Sequence, residues 1–206
     1  MRQPSSRDLF AYWDALRGTR PAPDRSEIDP GAIRASLPDV FLLGLDPARS
    51  YPFRLAGMSV CALFGRELRD SAFTALWTPT AEPAIAKLVQ CVIDDCIGAV
   101  TAITGQNETG QTLELELLLL PLTCRDGERA RVIGALSTAS PPYWLGIRPV
   151  QTLEDGDVRF VGPAVDGAGR KFVAGRANLL KGPGFVVYPA MPRLPNSTKS
   201  AGLTDR

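Results

Sequence analysis

Residues 80–120 read TAEPAIAKLVQCVIDDCIGAVTAITGQNETGQTLELELLLL, and the hydrophobic period changes midway along them. In the first half Ile85, Leu88, Val89, Val92, Ile93 and Cys96 follow the 3.6-residue period of a helix. Glu82 and Pro83 suit its first turn, Lys87, Gln90, Asp94 and Asp95 face water, and Gly98 reads as its C-cap. In the second half the period is two. Leu113, Leu115, Leu117 and Leu119 alternate with Glu114 and Glu116, which predicts a strand with one buried face. Leu118 and Leu120 lose the polar side, so that end of the strand is expected to be covered on both faces. Ala99 to Thr104 is rich in β-branched residues, and Asn107-Glu108-Thr109-Gly110 is a hairpin turn. Downstream, Arg125-Asp126-Gly127-Glu128 makes the next turn. Arg131 to Thr138 forms a last strand, with Val132 and Leu136 opposite Ile133 and Ala135. One long helix followed by a three-strand meander is the frame into which the rest of the chain must fit.

Upstream, Val40 to Leu45 is apolar throughout and suits a buried strand. Asp46-Pro47-Ala48-Arg49-Ser50 is turn material. Tyr51 to Gly57 alternates, which predicts Phe53 and Leu55 on one face and Arg54 and Ala56 on the other. The two segments read as an antiparallel hairpin. Arg54, on the opposite face, is expected to pair with Asp14, Asp29 or Glu67, the functional alternative being that it holds an anionic ligand or partner. Val60, Cys61 and Phe64 make a short helical stripe stopped by Gly65, and Phe73, Leu76 and Trp77 make another short apolar cluster. At the N-terminus Leu9, Tyr12, Trp13 and Leu16 lie at helical spacing, with Ser5 or Ser6 as N-cap, Asp8 in the first turn and Gly18 as the stop. Pro30 opens a short helix through Ile33 to Ser36. The order is helix, two strands, several helices ending in a long one, and three antiparallel strands. This is an α+β layout: an N-terminal helix, two strands, a helical insertion and a three-strand meander.

The composition bounds the function. Of 206 residues, 23 are Lys or Arg and 22 are Asp or Glu, so no strong single-sign field draws a polyanion. Histidine is absent, which removes Ser-His-Asp triads, Cys-His dyads and imidazole ligands to a metal or haem. Cys61, Cys91, Cys96 and Cys124 show no CxxC spacing and read as reduced core residues, so no metal site is expected. The N-terminal residues lack the apolar run of a signal peptide. Leu117 to Leu122 is too short to span a bilayer, so a cytoplasmic location without membrane insertion is expected. Gly and Pro account for 17 of the last 66 residues, against 20 of the first 140. The folded domain is therefore placed at 1–145, followed by a Gly/Pro-rich flexible extension at 146–206. Within that extension only Asp157 to Val161 and Gly184 to Tyr188 could form short strands. Gly167-Ala168-Gly169-Arg170-Lys171 lacks P-loop spacing and reads as linker. Arg170, Lys171, Arg176 and Lys181 are too dispersed for nucleic-acid binding.

Several stretches together carry a family likeness. Phe10-Ala11-Tyr12-Trp13-Asp14-Ala15-Leu16-Arg17-Gly18, Arg20-Pro21, Pro23-Asp24-Arg25, Ile28-Asp29-Pro30 and Leu37-Pro38-Asp39-Val40-Phe41-Leu42 form the first group. Phe53-Arg54-Leu55-Ala56-Gly57, Phe64-Gly65-Arg66-Glu67-Leu68 and Leu76-Trp77 continue it. Over residues 9–77 the sequence resembles a bacterial family of small stand-alone PAS-domain proteins with an N-terminal YWxxLR-type helix. The resemblance implies a PAS-like α+β fold, a five-stranded antiparallel sheet with helices on one face and an N-terminal helix, and a sensory or regulatory role without enzymatic activity. It leaves signal and cofactor unassigned. The partners it implies are proteins of a signalling pathway, with a second copy of the chain and a small apolar ligand as further candidates.

A PAS domain that binds a ligand holds it between sheet and helices, in a space that needs an apolar wall. The candidates for that wall are Phe53, Leu55, Phe64, Trp77, Leu88, Cys91, Leu115 and Leu117. The competing reading is that these side chains are simply core, as a domain of this size needs them to fold. No cysteine lies in the Asn-Cys-Arg-Phe-type setting of a flavin-adduct photoreceptor. Asp94 and Asp95 point about 100° apart on their helix and form no catalytic pair. Two other functional classes remain open beside the sensor: a structural adaptor or dimerisation domain with a filled core, and an enzyme using Asp, Glu or Lys.

Overall fold

A computed structural model describes residues 1–46, 48–123 and 130–161. Cys124, the Arg125–Glu128 turn, the Gly167–Lys171 stretch, the dispersed basic residues and the Gly184–Tyr188 segment lie outside the described residues.

Helix α1 covers Pro4–Arg17. Strands β1 (Val40–Gly44) and β2 (Phe53–Ala56) form the expected antiparallel hairpin. Helix α2 (Met58–Phe64) ends at Gly65 in the left-handed conformation, and a 3₁₀ turn spans Thr74–Leu76. Helix α3 (Glu82–Asp94) leads into β3 (Gly98–Asn107), β4 (Thr112–Pro121) and β5 (Ala130–Ser137). The strands run in the order β2-β1-β5-β4-β3, all antiparallel.

The sheet does not stop there. Strands β6 (Val150–Glu154) and β7 (Val158–Val161) both pair antiparallel with β3. Glu154 faces Thr104 while Val158 faces Thr101, so three residues, Asp155 to Asp157, span a gap of two on β3. The two strands are one edge ribbon broken by a bulge. This corrects the boundary at 145. Val150, Leu153, Val158 and Phe160 are buried in the main core, so the folded unit reaches at least Val161.

Both faces of the sheet are covered. On one, α2, the 3₁₀ turn and α3 pack on Phe41, Leu43, Leu113, Leu115, Leu117, Leu119, Val132 and Leu136. On the other, Leu9 and Trp13 of α1 pack on Val40, Leu42, Leu118, Leu120, Ile133 and Ala135. The alternation read in β4 and β5 is therefore correct, including the double coverage at Leu118 and Leu120. Three local readings change. The α1 N-cap is Gln3, with no side-chain cap from Ser5 or Ser6. Ser5 instead donates its hydroxyl to Asp39. Helix α3 ends at Asp94, and Cys96, at φ 51°, takes the left-handed turn assigned to Gly98. Gly98 already belongs to β3, where a Cβ would stand 2.7 Å from Leu120 and 2.9 Å from the Val161 carbonyl. Arg54 pairs with none of its three expected partners. It meets Asp70 at 3.1 Å on the surface, an ion pair worth little in water.

Candidate functional site

Seven of the eight expected wall residues come together on the inner face. Phe53 from β2, Phe64 from α2, Trp77 after the 3₁₀ turn, Leu88 from α3, and Leu115 and Leu117 from β4 are buried in one cluster, and Cys91 packs against it. Leu55 does not join them. Leu42 faces Leu55 and Leu43 faces Phe53, so Arg54 is an extra residue on β2. That bulge turns successive odd positions to opposite faces. Phe53 is driven inward, and Leu55 is left 43% exposed. The expectation that Phe53 and Leu55 share a face is thereby corrected.

Aromatic rings occupy much of the inner space. Phe41, Phe53 and Phe73 stand 5.7–5.8 Å apart between centroids, and Trp77 meets Phe73 edge to face at 5.8 Å. These are favourable offset and T-shaped geometries. Gly134 makes room for them, since a Cβ there would lie 2.3 Å from the tip of the Phe41 ring. One polar atom in this cluster lacks a partner. Trp77 is 4% exposed, yet its indole N–H meets no acceptor among the described residues. A buried donor normally has an acceptor, so this N–H is left for a partner that the described residues do not supply. Tyr51 is satisfied, its hydroxyl donating to the Ala86 carbonyl at 3.2 Å. Burial pushes the thiols of Cys61 and Cys96 up, away from the reactive thiolate. Among the described residues no group of His, Cys, Asp and Glu is placed to hold a metal.

A concavity lies on the opposite face and was not foreseen from the sequence. A half-open groove of about 1520 Å³ runs between α1 and the outer faces of β3, β4 and β7. Val100 and Ala102 of β3 and Val161 of β7 line it, with Phe10, Arg7 and Arg17 of α1, and Glu114, Asp157 and Arg159. Two charged side chains in its lining secure the two ends of α1. Glu116 accepts the backbone N–H groups of Arg2 at 2.6 Å and Gln3 at 3.1 Å, pinning the start of α1 to β4. Arg17 is 3% exposed, its guanidinium 5.3 Å over the Trp13 ring. It binds Asp14 and the carbonyls of Gly18 and Arg20, but its Nε meets no acceptor among the described residues. The only sequence signal for Glu116 was a carboxylate in a leucine run, and that reads equally as the solvent side of a strand.

No protein of curated function matches the sequence. Among solved structures, an RNA-binding Light-Oxygen-Voltage receptor is 16% identical with a TM-score of 0.42, over 53% of this chain and 33% of that one. The chain thus spans about a third of that receptor's length. The light state of the blue-light photoreceptor Aureochrome1 LOV is 18% identical with a TM-score of 0.38, over 54% of this chain and 89% of that one. The PAS domain of a protein from Colwellia psychrerythraea is 14% identical with a TM-score of 0.39, over 53% and 97% of the two chains. The family model described as PAS domain matches residues 1–137, and with the curled antiparallel sheet and its helical cover this places the chain in the PAS-domain family.

Proposed function

We propose that the protein is a non-enzymatic PAS module of cytoplasmic signalling. It passes a signal by altering its contacts with a protein partner and is tuned by a small, largely apolar ligand on the inner face of the sheet. The family match supports a sensory role. The observation that carries the ligand is the buried, unpartnered indole N–H of Trp77 amid Phe53, Phe64, Leu88, Leu115 and Leu117. A ligand with an acceptor for that N–H would favour the arrangement of α2 and the 3₁₀ turn that presents it. It would shift the population by its differential affinity alone. Both elements are short, with few internal hydrogen bonds to resist a shift. Among the described residues no helix is long and apolar enough to cross a membrane.

The test is native mass spectrometry of the full chain purified from its own cells. A retained small molecule is expected. Trp77→Phe, which removes the donor, and Leu115→Trp, which adds bulk inside the apolar cluster, should both lose it. Leu55→Trp, on the outward side, should keep it. If nothing is retained, the ring packing of Phe41, Phe53, Phe73 and Trp77 favours the second reading: an adaptor domain whose core is filled by its own side chains.

A further inference from the structure

We infer that residues Tyr143 to Glu154 form a strap that couples the inner face to the surface. A shift of the Trp77 segment or of α2 moves β6, and β6 moves the exposed side chains of Tyr143 and Ile147. This coupling rests on the ligand reading of the Trp77 site and names its regulation. Both elements that would present a ligand are fastened to the same stretch. Directly after Trp77, the Thr78 backbone N–H donates to the Leu153 carbonyl at 3.0 Å. The C-terminal end of α2 backs onto Pro149, where a Cβ on Gly65 would stand 3.0 Å from the proline ring. Trp144, Val150 and Leu153 are buried in the core that holds Trp77, Phe53 and Leu88. A displacement of either element is passed to this stretch, because a packed interior has little free volume to absorb it.

The stretch is built to move as a unit. Of the described strands, β6 pairs with β3 alone. Its register slips between Gln106 and Asn107, and the bulge at Asp155 to Asp157 separates it from β7. Bulges interrupt the hydrogen-bond ladder, so β6 is a short panel with a break at each end, and it can shift while β7 stays on β3. The turn that leads into β6 reaches the surface. There the Trp144 carbonyl accepts the backbone N–H groups of Ile147 at 3.0 Å and Arg148 at 2.9 Å. Trp144 points into the core, while Tyr143 is 86% exposed and Ile147 78% exposed. Two large apolar side chains are thus presented to water from a turn whose middle is anchored beside the inner site. Such coupling is reciprocal: whatever binds at Tyr143 and Ile147 changes the affinity of the inner site by the same factor.

Amide hydrogen exchange on the full chain tests this and needs no ligand, so its failure is distinct from a failure to find one retained. Thr78→Pro deletes the donor, and Trp77 before it is already extended, at φ −100° and ψ 153°, as a residue preceding proline prefers. Losing that bond should raise exchange about two- to tenfold at residues 150–154 and, at the far end of the strap, at Ile147 and Arg148. Residues 158–161 of β7 should keep their rates. Pro149→Ala trims the contact with Gly65 and leaves the hydrogen bond in place, and it should raise exchange of the Thr78 amide. If Thr78→Pro does not fold, Pro149→Ala decides alone. Unchanged amides at Ile147 and Arg148 in a folded Thr78→Pro would overturn the proposal. So would a rise in β7 equal to that in β6, the mark of the whole edge loosening, or an unmoved Thr78 amide in Pro149→Ala.

Discussion

Trp13 is where the outer face is most tightly specified. Its ring is fully buried, and its indole N–H donates to the Pro121 carbonyl at 2.8 Å, tying α1 to the end of β4. Trp13→Ala removes a large apolar surface and that bond together, and is expected to cost about 3–5 kcal/mol in urea unfolding. Two aspartates should show opposite pH behaviour. Asp46 accepts the backbone N–H and hydroxyl of Ser50 and the backbone N–H of Tyr51. Burial pushes its carboxyl up, but these bonds together outweigh it and hold the group below the usual range. Its stabilising contribution is therefore present above about pH 4 and lost as the pH falls through the lowered folded value. Asp155, in the bulge between β6 and β7, is pushed up by burial and by the neighbouring Glu154 charge. Its contribution is present below about pH 4 and lost as the pH rises through the raised folded value. At neutral pH Asp46→Asn should lower stability and Asp155→Asn should raise it, and both should converge on the wild type under acid. Denaturant midpoints measured from pH 7 to pH 3 check the pair. Two curves of the same sign at neutral pH would refute the assignment.

At the scale of the element, α1 lacks a side-chain cap of its own and is held by a carboxylate from elsewhere in the fold. Glu116 satisfies the N–H groups of Arg2 and Gln3, where a helix start leaves donors orphaned and favours negative charge. Hydrogen bonds to a charged group contribute about 1.5–3 kcal/mol, enough to decide whether the first turn stays closed. Glu116→Ala should thus speed exchange at the amide of Arg7, which bonds the Gln3 carbonyl, while amides in β3 stay protected. Unchanged exchange at Arg7 would show that packing of Leu9 and Trp13 alone holds the turn. The same scale shows what the sequence could reveal. Periodicity located α1, α3, β4 and β5 because long elements repeat their pattern several times. It could not show the extra residue at Arg54, because in a four-residue strand one bulge leaves no repeat against which to detect it, and so Leu55 was turned inward. Gly98 was misread for a related reason. A glycine after a helix looks like a cap, but here it serves the close approach of Leu120 and Val161, which are distant in sequence. The inner cluster was legible as apolar positions. The outer groove was not, since it exists only where α1 leaves part of the sheet bare.

At the scale of the molecule, the folded unit is larger than composition suggests. Pro141, Pro142, Gly146 and Pro149 punctuate the chain like a linker, and the bulge at Asp155 to Asp157 breaks the alternation that would have announced a strand. Yet Thr78 donates its backbone N–H to the Leu153 carbonyl at 3.0 Å, fastening the segment that carries Trp77 to the added edge. Val150, Leu153, Val158 and Phe160 lie in the main core. Burying each such side chain contributes about 1.5–3 kcal/mol. Together that is about 6–12 kcal/mol, comparable to the whole stability of a domain. Removing the edge should therefore do more than trim a tail. A chain ending at Leu145 is expected to lose its cooperative thermal transition, whereas one ending at Val161 should keep it. Melting followed by near-ultraviolet circular dichroism would show the difference, because the Phe41, Phe53, Phe73 and Trp77 rings report on fixed packing. Equal cooperative melting of the two chains would mean that β6 and β7 are an ornament on a self-sufficient five-stranded sheet. The prediction is that they are part of it: without Leu153 the Trp77 segment loses its anchor, and the inner core loses Val150, Val158 and Phe160 with it.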